Sequence, residues 1–296
     1  SKIAEGFVPQ ILAGGGRVVV RAKVKSLLVH KQRAIGVTME DGTEIRADQV
    51  ISSVGLRNSI KLLPQSPELT ATNASFRKIA TGTSASVGHL CLYVGLNKTS
   101  RELQLPRENH WKFPTIDHDA NFDRFVADPS QPFPVLYFSY PSAKDPAWET
   151  NHPGTAAIDL VTLGKYEWFK PWEGTKVKAR NDDYKAFKAQ FQKRLEDELF
   201  KHLPQIREHV THIELSTPLS TQHYCQYEEG EIYGLSHDPA RFRNTGLRVS
   251  TPLKGYSLTG QDIITCGVMG ALGSGVLTAS SLLKRDCMGT LLREAQ

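Results

Sequence analysis

Tyr256-Ser-Leu-Thr-Gly-Gln-Asp-Ile-Ile-Thr-Cys-Gly267, continued by Val268-Met-Gly-Ala-Leu-Gly-Ser-Gly275, decides the fold. Tyr256 to Thr259 has the make-up of a short strand. It delivers Gly260-Gln-Asp262 at its carboxyl end, the edge where ligands gather in open α/β sheets. A loop through Gly267 and a helix from about Val268 follow. The first turn of such a helix carries N–H groups without intrahelical partners and the positive end of the dipole. Gly267, Gly270, Gly273, Ser274 and Gly275 keep one side of it small, so that something can approach closely. Residues 263–283 carry no charge, yet their glycines and Thr265, Thr278, Ser280 and Ser281 make them too polar for a membrane span. A tightly packed helix pair is the purely structural alternative.

The chemistry on offer suits the edge of a flavin. The Asp262 carboxylate can accept from ribityl or ribose hydroxyls. A helix N-terminus favours the negative charge that a flavin gains at N1 and the C2 carbonyl on reduction. These residues are consistent with a flavin without requiring one.

At the other end of the chain, Ile3, Phe7 and Ile11 share a helix face that stops at Gly14-Gly15-Gly16. Arg17 to Val29 reads as a strand, His30 to Arg33 as a turn, Ala34 to Met39 as the return strand, and Asp41-Gly42 as a second tight turn. Asp48 to Gly55 then reads as a short buried strand ending in a Ser-Ser-x-Gly loop. The glycine triplet follows a helix and precedes a strand, the reverse of the order a dinucleotide fingerprint needs, and no GxGxxG occurs in the right setting.

The middle of the chain has a different texture. Strand-like runs at 85–95, 134–140 and 155–162 are separated by loops rich in Pro and Asp. One strong helix spans Asp182 to Leu203, with Tyr184, Phe187, Phe191, Leu195 and Leu199 repeating every three or four residues as a core face. The spacing predicts an α+β domain, 65–217, inserted between a first segment, 1–64, and a last one, 218–296.

Composition removes several function classes. A chain of 296 residues has room for about two domains. With 40% hydrophobic and 23% charged residues it is not a disordered chain. The net charge of +5 is spread thinly, without the basic stripe a nucleic-acid protein needs, although it suits loose contact with anionic lipid headgroups. The four cysteines, Cys91, Cys225, Cys266 and Cys287, form no CxxC pair, and Cys91 reads as a buried, inert thiol. The histidines, His202, His209 and His212 among them, show no metal-ligand spacing, so no metal is expected. Ser1 to Phe7 is not a signal peptide and reads as the end of a helix entered mid-fold.

The run Leu258-Thr-Gly-Gln-Asp-Ile-Ile-Thr-Cys-Gly267 with Gly270-Ala-Leu272 resembles the carboxy-terminal flavin segment of the all-trans-retinol 13,14-reductase (retinol saturase) family. That family lies within the phytoene desaturase and carotenoid isomerase superfamily of FAD-dependent oxidoreductases. The resemblance extends through Gly230-x-x-Tyr-Gly-x-x-His-Asp238, Ser216-Thr-Pro-Leu-x-x-Gln222, Glu167-Trp-Phe169, Pro141-Ser-x-Lys-Asp-Pro-x-Trp148 and the opening meander from Gly36 to Ser52. It covers nearly the whole chain at spaced motifs.

The resemblance implies an α/β fold (α+β overall): an incomplete FAD/NAD(P)-binding Rossmann-like domain with an inserted α+β substrate domain. It implies an enzyme that uses FAD to reduce a C=C bond of a polyene or retinoid-like lipid. NAD or NADP is admitted as electron donor. By matching position, Val24 lies beside the adenine through its backbone, Asp262 meets the ribityl chain, the backbone of Gly267, Val268 and Met269 meets the pyrimidine ring, and Gly260 is a further cofactor-binding residue. Tyr233 and His237 are the candidate proton donors, because the Gly-x-x-Tyr-Gly loop is expected near the ring. Family members carry a GxGxxG unit near the amino terminus that this chain lacks, so it looks like the carboxy-terminal part of a longer protein, expected to bind FAD poorly alone. A carotenoid desaturase or cis-trans isomerase is the alternative activity, and a truncated binding module the non-enzymatic one. Peripheral membrane contact is expected, at the endoplasmic reticulum for an animal-like member, or else a cytoplasmic location.

Overall fold

In the computed structural model, which describes residues 2–294, the chain divides into two units: Ser1–Thr83 with His237–Gln296, and Ser84–Ser236. The first unit opens with α1 (Lys2–Ala13), whose Ile3, Phe7 and Ile11 are exposed. β1 (Val24–His30), β2 (Arg33–Met39) and β3 (Glu44–Arg46) form an antiparallel meander. Lys31 and Gln32 both take positive φ at the first hairpin, the primed turn whose twist matches the strands. Residues 17–23, expected to begin β1, lie outside it. The ladder starts at Val24↔Met39, where β2 ends; beyond it only the Lys23 carbonyl accepts the Glu40 N–H at 2.9 Å, and Val19 and Val20 are exposed.

β4 (Val50–Ser52) runs parallel to β10 (Tyr256–Leu258), in register from Tyr256↔Val50 to Leu258↔Ser52. All of β10 is buried, whereas Ile51 in β4 is 49% exposed, so that strand is less covered than its apolar sequence suggests. α2 (Leu56–Lys61) and α3 (Thr70–Ala80) follow β4. α3 lays the fully buried Phe76 against Tyr256, whose hydroxyl donates to the Ser59 carbonyl at 3.1 Å. This packing ties residues 65–83 to the first unit. The division therefore falls after Thr83 and Ser236, where the sequence suggested 64 and 217.

The second unit is built on a five-stranded antiparallel sheet of β5 (His89–Leu96), β6 (His110–Lys112), β7 (Leu136–Ser139), β8 (Ala156–Leu163) and β9 (Val210–Ser216), in the order β6-β7-β8-β5-β9. α4 (His118–Ala127) is capped by the Asp117 side chain, and α5 (Pro141–Lys144), α6 (Trp148–Asn151) and α7 (Tyr166–Phe169) are short. α8 (Asp182–His202) starts where the Asn181 side chain accepts from the Tyr184 N–H, and two acids in its first turn complement the dipole. Its aromatic and leucine stripe is buried against Leu90, Leu92 and Val94 of β5 and Leu160 of β8. α9 (Pro218–Cys225) begins at a Thr217 capping box and closes the unit.

The sheet thus has two unlike faces. Alternate residues of β5 point into the core with α8, while His89, Cys91 and Tyr93 belong to the other face. One cross-strand row on that other face runs Trp111, Tyr137, Val161, Cys91. Cys91 is 4% exposed, and burial pushes its thiol up to about 12, as expected of an inert cysteine.

The first unit also holds α10 (Pro239–Arg243) before β10, and α11 (Gly267–Leu283) after it, against which α12 (Cys287–Glu294) packs. No helix among the described residues is long and apolar enough to cross a membrane.

Candidate functional site

The loop from β10 to α11 is held from behind by side chains. Gly260, at positive φ, donates its N–H to Ser274 Oγ at 2.7 Å. Thr278 Oγ1 donates to Thr259 Oγ1 at 2.9 Å. Gly270, Ser274 and Thr278, one per turn, form the buried stripe of α11. A methyl group at Gly270 would collide with the Thr265 carbonyl. What approaches the small face of α11 is therefore the preceding loop of this same chain.

Asp262 is 4% exposed, and its Oδ2 accepts the Leu56 N–H at 2.8 Å, at the start of α2. Arg241 of α10, 2% exposed, donates through Nη2 to the Gln261 carbonyl at 2.7 Å. Burial pulls its guanidinium below the usual range, and the Asp262 carboxylate works against that shift. Two buried charges so placed compensate each other and satisfy loop backbone at the same time.

His237 completes the support. Its Nε2 accepts the Cys266 N–H at 2.7 Å, one residue before α11. Arg241 Nη1 lies 3.1 Å from Nε2 and 3.2 Å from Nδ1, a near-equal reach that places it across the face of the ring. With Nε2 used as an acceptor, the proton of the neutral ring sits on Nδ1.

The outward side of α11 is different. Gly267 takes a φ of +83°, a conformation glycine adopts freely, and its Cα faces open space. Val268 and Met269 are 60% and 79% exposed. The first-turn N–H groups of a 17-residue helix are thus presented beside an apolar surface. Val24, at the first residue of β1, is half-buried.

The second unit contributes a cavity of about 740 Å³ over the open face of its sheet. Trp111, Phe113, Phe122, Tyr137, Val161 and Leu163 line it, with His89 and Tyr233. Trp111 and Tyr137 rings lie 4.6 Å apart. Tyr233 reaches this wall because residues 231–236 run antiparallel beside 84–88. The Ile232 N–H donates to Val87 O at 3.0 Å, the Tyr233 N–H to Ser86 Oγ at 3.0 Å, and the Ser86 N–H to Gly234 O at 2.8 Å. Tyr233 itself is 42% exposed.

Tyr233 therefore belongs to the second unit and His237 to the first, although four positions separate them in the chain. Sequence reasoning missed Arg241 and His89. An arginine in a loop looks like surface charge, and a histidine at a strand start looks like an edge residue. The Pro239-Ala-Arg-Phe-Arg243 turn after Asp238 was the only available signal, since the Asp238 side chain caps the helix that carries Arg241.

The chain is 34% identical over 299 residues to the all-trans-retinol 13,14-reductase of Danio rerio, covering 97% of this chain and 49% of that protein. It is 33% identical over 304 residues to the human protein of the same name, covering 98% and 49%. A Danio rerio protein named as an inactive all-trans-retinol 13,14-reductase is 30% identical over 300 residues, covering 96% and 48%. The chain thus spans about half the length of the curated relatives it matches. Among solved structures, an oxidoreductase from Methanosarcina mazei superposes with a TM-score of 0.55 at 15% identity, over 92% of this chain and 51% of that one, which shows a shared α/β fold. The family model described as flavin containing amine oxidoreductase matches residues 3–283, and the chain belongs to that family.

Proposed function

We propose that this chain is the part of an FAD-dependent oxidoreductase that holds the pyrimidine side of the flavin and binds a polyene lipid, a C=C bond of which is reduced. The observation that carries this is the exposed first turn of α11, Gly267–Met269, fixed by a loop whose Gly260 and Cys266 N–H groups are held by Ser274 and His237. A flavin fits these residues: backbone donors and a helix dipole favour negative charge at its pyrimidine edge, and Val268 and Met269 offer apolar contact. When bound there, it supplies hydride to one alkene carbon. Gly260 and Asp262 organise the ribityl side, Asp262 by fixing the start of α2, and Val24 takes the adenine side.

The cavity of the second unit supports the substrate class. Its size and aromatic lining suit a long, flat, apolar molecule. Tyr233 stands on its wall and is the proton donor of this proposal. His237 has its Nε2 engaged by Cys266, so its part is to position the α11 start. NAD or NADP is the proposed source of electrons. Contact with a lipid surface is the proposed route of substrate entry.

The test is product analysis with the intact gene product, supplied with FAD, a reduced nicotinamide and all-trans-retinol. Loss of one conjugated double bond, read as a blue shift in absorption, is expected. A flavin-loaded protein that isomerises a poly-cis carotene and leaves retinol unchanged would assign the isomerase activity instead. The relative named as inactive favours a second reading, a flavin and polyene binder without turnover. Bound flavin and bound polyene with no product would establish it.

A further inference from the structure

Asn109, Trp111 and Phe113 line the 740 Å³ cavity, while the residues between them, His110 and Lys112, turn to the other side of β6. That strand is the edge of its sheet, three residues long and paired with β7. Among the described residues it places nothing in the buried apolar core, and it reaches α8 through two polar contacts. Lys112 Nζ donates to Glu198 Oε2 at 2.6 Å, and His110 Nδ1 lies 2.8 Å from His202 Nε2. The His202 ring is itself stacked on Phe138 of β7, centroids 4.3 Å apart.

Two imidazole nitrogens that face each other at hydrogen-bond distance share one proton. The titratable groups around the pair are Glu108 before β6, Lys112 on it, Tyr140 after β7, and Glu198 and Lys201 on α8. Tyr140 Oη is 3.2 Å from His110 Nδ1, and burial pushes its hydroxyl up to about 12, so it stays neutral. A first added proton is tolerated. His110 Nε2 lies 4.0 Å from the Glu108 carboxylate, and a charged His110 still donates through Nδ1 to His202. A second proton removes the only lone pair between the facing nitrogens and leaves two cations with ring centroids 5.0 Å apart. Glu198 is taken up by Lys112 and Lys201, at 2.6 and 3.0 Å. Burial, then the His110 and Lys112 charges, holds the basicity of His202 below its ordinary range, which reserves this second step for acid.

We propose that the His110–His202 pair is a protonation-dependent latch on the cavity: sharing one proton it fixes β6, and with it the wall formed by Asn109, Trp111 and Phe113, and doubly protonated it frees that wall and releases the lipid. This deepens the function proposed above and rests on its polyene cavity. Both histidines are positioning residues, acting on the ligand through the strand they hold.

The test uses the 296-residue chain and the quenching of Trp111 fluorescence by all-trans-retinol, with Trp111→Phe identifying the signal. Affinity of the wild type is expected to fall roughly tenfold between about pH 7.5 and about pH 5, the worth of one hydrogen bond. The fall should reverse on return to the higher pH, with helical circular dichroism unchanged throughout. His202→Gln keeps a hydrogen-bond partner for His110 and cannot become charged. It should bind as the wild type does at about pH 7.5, which also shows that it folds, and hold that affinity at about pH 5. His110→Gln should behave in the same way. A wild-type affinity that ignores pH, a fall that accompanies loss of helix, or an equal fall in both glutamine variants overturns the latch and leaves the polyene cavity standing. Failure of retinol to quench Trp111 in the wild type at about pH 7.5 overturns the polyene cavity, and the latch with it.

Discussion

His237 Nε2 accepts the Cys266 N–H at 2.7 Å, so a ring in the segment preceding α10 determines where α11 begins. Around that bond, Arg241 and Asp262 hold the same loop through its carbonyls and through the start of α2. The first turn of α11 owes its position to groups that are themselves buried or half-buried.

Replacing His237 by Leu is expected to weaken flavin binding by about tenfold and to cost about 1–2 kcal/mol in stability, because the Cys266 N–H loses its acceptor. His237→Gln, which restores an acceptor, should recover most of both. Flavin titration and urea unfolding of the two variants read this. If His237 served only as a proton donor, binding would be untouched.

Arg241→Met should destabilise the first unit by about 3–5 kcal/mol, since the buried Asp262 carboxylate is left without its compensating charge. The double change Arg241→Met with Asp262→Asn should recover part of that loss. Denaturant midpoints of the single and double variants measure the coupling.

Two glycines of α11 should respond in opposite directions. Gly270→Ala drives a methyl into the Thr265 carbonyl and should cost about 2–3 kcal/mol. Gly275→Ala meets no atom within 4 Å and should stabilise the helix by about 0.5–1 kcal/mol. Thermal melts distinguish them directly.

Met269→Glu separates helix stability from ligand binding. An acid in the first turn complements the dipole, worth about 0.3–1 kcal/mol to the fold. The same charge repels a reduced flavin, so affinity for the reduced form should fall more than affinity for the oxidised form. Parallel titrations under oxidising and reducing conditions check this, and equal losses would remove the flavin edge from this turn.

Acid should destabilise the chain through two histidines. Burial lowers the basicity of His89, and burial with the neighbouring His110 and Lys112 charges lowers that of His202. As pH falls through about 6.5, the unfolded chain takes up protons that the folded chain refuses, so stability declines there and levels off below the folded values. His89→Gln should flatten part of that decline. Unfolding curves at about pH 7.5 and about pH 5.5 give the comparison.

Much of this architecture was legible in the sequence. The stripe of Tyr184, Phe191, Leu195 and Leu199 predicted α8 because a long amphipathic period is hard to mistake. The runs at 89–96, 136–139 and 156–163 were apolar enough to show as strands. β6 escaped notice because it has three residues, and β9 because it is an edge strand with Thr211, His212 and Glu214 mixed into its apolar run. Residues 17–23 looked like a strand from their valines, yet a strand also needs a partner, and β2 ends at Met39. The site was half legible. Gly260, Asp262 and the start of α11 stood out as a motif, whereas the bonds from His237 and Arg241 arise only when distant residues fold onto the loop.

The alternation along β5 separates two tasks that often compete. Leu90, Leu92 and Val94 weld the sheet to α8, while His89, one residue away and on the opposite side of the pleat, looks onto the cavity. Ligand preference can then drift by substitution at His89, Trp111 or Tyr137 without thinning the packed layer beneath. Under the proposed polyene reading, a change of ligand at this wall leaves the stability of the α8 layer untouched.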